Sequence, residues 1–211
     1  MATRRDVVTT VAELVISAEP DAWRAAGFEV DEAGALRLGG ISIRLTGGSA
    51  GMTEWVLADA PDTSVHDIDG LRTSHGEVPA FAEAQHDNGV SSIDHVVVYT
   101  PDLERTCAAI EADTGAPLRR IREVGSLRQG FHRLGELIVE VVTFAQIEQQ
   151  QATFWGLALN VVDIDAMYAT VGDAAMSAPK DAVQPGRRIA SFRESAALGL
   201  PVAVMTPHRR P

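Results

Sequence analysis

His95 and Glu140 are the two side chains of this 211-residue chain whose setting points most directly to chemistry. Each interrupts an apolar run. His95 sits in Ile93-Asp94-His95-Val96-Val97-Val98-Tyr99, and Glu140 in Leu137-Ile138-Val139-Glu140-Val141-Val142. Such runs read as strands, and the two-residue alternation of a strand groups His95 with Val97 and Tyr99, and Glu140 with Ile138 and Val142. If both faces look into one cleft, an imidazole and a carboxylate converge, a pair suited to Zn, Fe(II), Mn, Ni or Co. A catalytic centre of that kind normally takes about three protein ligands and keeps one position open. His132, on the run between them, is the candidate third ligand if its side chain faces the cleft. Blander readings stand beside these. A lone strand histidine is more often hydrogen-bonded in or near a core than bound to metal, and a buried carboxylate needs only a partner such as a nearby arginine.

The elements that must position these groups follow a repeat. After the strand at His95, Thr100-Pro101-Asp102 supplies an N-cap, a proline at the first helical position and an acid in the first turn. Leu103, Cys107 and Ile110 share one helical face, and Gly115 ends the helix. Strands are expected around Leu118 to Val124, Gln129 to Leu134 and Leu137 to Thr143, broken at Gly125 and Gly135. The same order recurs after Gln151: a strand over Phe154 to Val161, a helix capped by Asp163 or Asp165, then strands around Arg187 to Phe192 and Pro201 to Met205. A weaker copy precedes both, with a strand over Ala12 to Ser17, a helix from Pro20 to Ala26, the stretch Leu36 to Leu45 and a strand from Met52 to Ala58. The expected organisation is a degenerate module over 1–60, a linker over 61–90 with one short helix near Ala80 to Ala84, and a paired domain over 91–206, divided into 91–144 and 152–206.

These residues and this order resemble the βαβββ modules of the vicinal oxygen chelate superfamily, the α+β fold of glyoxalase I, extradiol dioxygenases, methylmalonyl-CoA epimerase and bleomycin-resistance proteins. In that family a histidine on the first strand and a glutamate on the last bind a catalytic divalent metal. The resemblance implies those roles for His95 and Glu140, with Glu140 also a base, in a lyase, isomerase or dioxygenase type of enzyme. It further implies a cleft between paired modules that holds a small organic molecule. The second module departs from the pattern: a shift of 61 residues carries His95 onto Gly156, and the last strand sets Ala203 where Glu140 stands. In the N-terminal copy the positions are roughly Leu14 and Arg44. Only half of a metal site is visible, so three readings remain. A third ligand completes an enzyme centre; or metal chemistry is lost and the cleft binds a small, possibly anionic molecule; or modules of two chains meet in a homodimer. A cleft filled by side chains, leaving a structural role, is disfavoured by the small Gly156 and Ala203.

Around the cleft, Tyr99 is an expected hydrogen-bonding anchor and Trp155 an expected wall of the pocket. Arg187 and Arg188 alternate in direction, so one of them could reach the cleft and hold a carboxylate or phosphate. Arg119, Arg120, Arg122 and Arg128 present the same choice. Gly47-Gly48-Ser49-Ala50-Gly51 matches GxSxG, but a strand rather than a helix is expected after it, so a turn between strands is the better reading. Cys107 reads as a core residue, and Trp23 and Trp55 as packing.

Composition sets outer limits. A net charge of −11 argues against nucleic acid as a partner. No apolar run approaches a membrane span of about 18 residues, so a soluble, cytoplasmic protein is expected. One cysteine excludes an intrachain disulfide and any CxxC motif.

Overall fold

A computed structural model describes residues 9–58, 65–77 and 84–207. The strands form two mixed sheets, each built as two halves joined at an antiparallel seam. In the second sheet the seam is β7 (Val90–Tyr99) against β11 (Thr153–Val161). From β7 the chain passes through α2 (Leu103–Thr114), β8 (Arg120–Val124) and β9 (Leu127–Leu134) to β10 (Leu137–Thr143), which returns parallel to β7. From β11 it passes through α3 (Ile164–Val171), the short β12 (Lys180–Asp181) and β13 (Arg188–Ser191) to β14 (Val202–Met205), parallel to β11. Both halves are βαβββ units. The register pairs Val97 with Glu140 in one half and Ala158 with Ala203 in the other, so Ala203 is the counterpart of Glu140 and the offset grows by two residues at the last strand.

The first sheet repeats this plan in shortened form. β1 (Thr10–Ser17), α1 (Pro20–Ala25), β2 (Ala35–Leu38) and β3 (Ile41–Leu45) make a unit one strand short, with β3 parallel to β1. β4 (Gly51–Ala58) lies antiparallel to β1, and Gly47 to Ala50 is a turn between two strands. The segment expected as linker is not empty of structure. It carries β5 (His66–Ile68) and β6 (Leu71–His75), and β6 runs parallel to β4. Asp69-Gly70 joins them with φ of 51° and 98°, the positive pair that a type I′ hairpin turn requires. The short helix expected near Ala80 to Ala84 lies outside the described residues, Ala84 excepted.

Sequence chemistry explains the helix. Asp102, rather than Thr100, is the N-cap of α2, and its carboxylate accepts from the Arg105 amide at 3.0 Å. Leu103, Thr106, Cys107, Ile110 and Thr114 form the buried face, and Gly115 at φ 70° ends the helix. Gly130 lets this face lie close on β9, since a Cβ there would stand 2.7 Å from the Cys107 sulfur. One apolar core joins both sheets. Trp55 is fully buried against Phe154, its indole donating to Thr73 at 2.6 Å, and Trp23 donates to the Leu198 carbonyl at 3.2 Å. Each large side chain so buried contributes about 1.5–3 kcal/mol.

The two sheets are also tied by charge. Asp69, in the β5–β6 turn, accepts from Arg105 Nε at 2.9 Å and from Thr106 Oγ1 on α2. Asp69→Ala removes both acceptors and leaves a residue ill suited to a positive φ, so urea denaturation should show a loss of about 2 kcal/mol. An unchanged midpoint would mean the turn does not anchor α2.

Candidate functional site

A cleft of about 380 Å³ opens on the sheet face formed by β7, β10, β11 and β14. His95, Val97 and Tyr99 enter it from β7, and Glu140 and Val142 from β10, so alternation brings the imidazole and the carboxylate together as expected. His95 Nε2 stands 3.2 Å from Glu140 Oε2. Gln129 Nε2 donates to the other oxygen of Glu140 from β9. At one end Tyr99 and Trp155 stack with centroids 4.6 Å apart and planes 17° from parallel, and Trp155 keeps 41% of its surface exposed. Leu157, Phe192 and Met205 supply apolar lining, and no lysine or arginine lies among the described residues that line the cleft. Burial, followed by the charge of Glu140, pushes the Tyr99 phenol above its usual pKa, so it stays protonated.

Asp94 was not foreseen in this site. Strict alternation would point it away from His95. The register of β7 on β11 slips between Ile93 and His95, leaving Asp94 as the extra residue of a bulge. Its Oδ2 lies 2.8 Å from His95 Nδ1, so the imidazole is held between two carboxylates. Arg187 locks Asp94 in turn, with Nη2 donating to Oδ1 at 2.7 Å. Burial alone would raise the Asp94 pKa, but hydrogen bonds from His95 and Arg187 and the charge of Arg187 outweigh it and bring the carboxyl down to about 2.

Two expected site residues lie elsewhere. His132 is opposite Val139 on the core face of β9, 1% exposed, with Nδ1 against the Ala116 carbonyl at 2.9 Å. Alternation from Gln129, which does face the cleft, puts His132 on the far side, so it is not a third ligand. Arg187 is 2% exposed, and its guanidinium is spent on Asp94, Asn160 Oδ1, Gln184 Oε1 and the Thr206 carbonyl. It braces the site from behind and is not free for a ligand. Arg128 is likewise engaged, by Glu104 and Glu123.

The donor set does not fit a catalytic metal centre of three protein ligands. Among the described residues no group of three or more His, Cys, Asp or Glu side chains is placed to hold a metal ion. The second module cannot supply the missing ligand at Gly156, because a Cβ there would stand 2.6 Å from the Pro201 carbonyl oxygen. Gly156 therefore serves close strand approach and does not leave room in the cleft, whereas Ala203 lines it. Nor do modules of two chains need to meet, since β7 and β11 pair within one chain.

No family model and no curated protein matches this chain. Solved structures do. A triple mutant of 4-hydroxymandelate synthase from Streptomyces coelicolor superposes with a TM-score of 0.63 at 14% identity, covering 96% of this chain and 94% of that one. Methylmalonyl-CoA epimerase from Mycobacterium tuberculosis superposes with a TM-score of 0.51 at 15% identity, covering 60% of this chain and 94% of its own. The chain has the α+β fold of the vicinal oxygen chelate superfamily, and the likeness to 4-hydroxymandelate synthase extends over both sheets.

The Asp94–Arg187 lock yields a prediction with a defined sign. The folded-state pKa of Asp94 lies below its ordinary 3.8, so the stability it contributes is complete above that value and is lost as pH falls toward about 2. Asp94→Asn should remove this acid-side decline and cost about 3 kcal/mol at neutral pH by leaving Arg187 buried without its counter-charge. Urea titrations at several pH values read both effects. A variant as stable as the parent at pH 7 would show the pair to be incidental.

Proposed function

We propose that the cleft between the two C-terminal modules binds a small aromatic organic molecule without a metal ion. The observation that carries this reading is the His95–Glu140 pair itself. Its two facing atoms stand 3.2 Å apart, and their remaining polar atoms are engaged by Asp94 and Gln129. A metal would have to displace that pairing and then find further ligands where Gly156 and Ala203 stand. What the cleft offers is a flat aromatic wall at Tyr99 and Trp155, apolar sides and a few polar anchors, the composition of a small-molecule pocket. Its volume of about 380 Å³ suits a ligand of one or two fused rings. No helix of the described chain is long and apolar enough to cross a membrane.

A ring seated on Tyr99 would lie beside Trp155, while Trp23 and Trp55 are fully buried away from the cleft. Quenching of tryptophan emission therefore reports occupancy. With naphthylacetamide as probe, titration should quench emission saturably, and the affinity should be the same with and without EDTA. Trp155→Ala, followed by calorimetry, should weaken binding about tenfold, as loss of an aromatic anchor does. Binding that vanishes in EDTA and returns with a divalent ion would instead support the metal-dependent enzyme reading of His95 and Glu140.

A further inference from the structure

Strand β8 is the edge strand beside β9, one strand beyond the residues that line the cleft. It pairs with β9 in a register that sets Arg122 opposite Gln129 and Arg120 opposite Phe131. Directly opposed residues share a sheet face, so both arginines stand on the face from which Gln129 enters the cleft. Ile121 and Glu123 point the other way, and Glu123 pairs with Arg128 there. The two arginines differ in what holds them. Arg120 is exposed and lies over the Phe131 ring at 5.0 Å. Arg122 is half-buried and has no hydrogen bond or ion pair among the described residues. A partly desolvated cation without a counter-charge is unfavourable.

We infer that Arg122, assisted by Arg120, forms the anion-binding end of the cleft, so that its ligand is an aromatic acid: a ring system joined by a short linker to a carboxylate or similar anion. This rests on the binding role proposed above and moves the anion contact from Arg187, which is spent, to β8. Strand spacing of about 4.8 Å sets Arg122 about 14 Å from Tyr99 at the Cα level, three strands away across Gln129 and Val142. A long guanidinium arm covers part of that distance and a ring on Tyr99 another part. A planar guanidinium also suits bidentate capture of a carboxylate. The rim supplies the positive charge that the floor, with Glu140, lacks.

The test compares naphthylacetic acid with naphthylacetamide, which differ only in the anion. Calorimetry on the full chain at low salt should give the acid about tenfold higher affinity, with the gap shrinking as salt screens the contact. Arg122→Gln should abolish the gap and leave the amide's affinity unchanged, and Arg120→Gln should narrow it. Equal affinities in the parent, or an Arg122→Gln variant that weakens both probes alike, would overturn the rim assignment while leaving the cleft reading standing. Failure of both probes to bind would overturn the two together.

Discussion

The buried ion pair between Asp94 and Arg187 is the interaction on which the cleft depends. A guanidinium that is 2% exposed is costly to bury without its carboxylate, and the carboxylate is brought to it by a single bulged residue in β7. Once Asp94 is fixed, His95 has one ring nitrogen committed and presents the other to Glu140. Gln129 completes the chain of contacts from β9. Strands β7, β9 and β10 and the segment before β13 are thereby cross-linked through side chains as well as through the sheet. The polar floor of the cleft is preorganised by groups that lie behind it.

That wiring also decides what the site is for. In a cleft with two imidazoles and two carboxylates, neighbouring like charges would need a cation between them. Here an imidazole sits between two carboxylates and an arginine stands behind, so each carboxylate already has partners within the protein. The pseudo-symmetric half contributes small residues, and at Gly156 the backbone of Pro201 leaves no space for a side chain. One half of the paired fold has kept polar chemistry and the other has become wall.

Much of this was legible in the sequence, and the gaps have physical causes. The repeat showed because in both C-terminal modules an aspartate, Asp102 or Asp163, stands where an apolar strand gives way to a helix, and because His95 and Glu140 interrupt apolar runs. Convergence of those two side chains follows from alternation alone. His132 could have been placed by counting from the turn at Gly135-Glu136: Leu134 pairs with Leu137, which sets His132 opposite apolar Val139. Arg187 precedes β13, so an alternation argument did not apply to it. Asp94 was out of reach because a bulge depends on the partner strand, which a local pattern does not contain. The hairpin of β5 and β6 was missed although Asp69-Gly70 between short β-prone runs is a recognised turn signal, because its flanks are polar and only three to five residues long.

The central claim is that His95 and Glu140 satisfy each other and hold no metal. Elemental analysis of protein purified without chelators or an affinity tag, then incubated with Zn, Ni, Fe(II) or Mn and desalted, tests it most directly, with His95→Ala as control. The account predicts well below one metal ion per chain in both proteins. Near-stoichiometric metal in the parent that disappears in His95→Ala would contradict it.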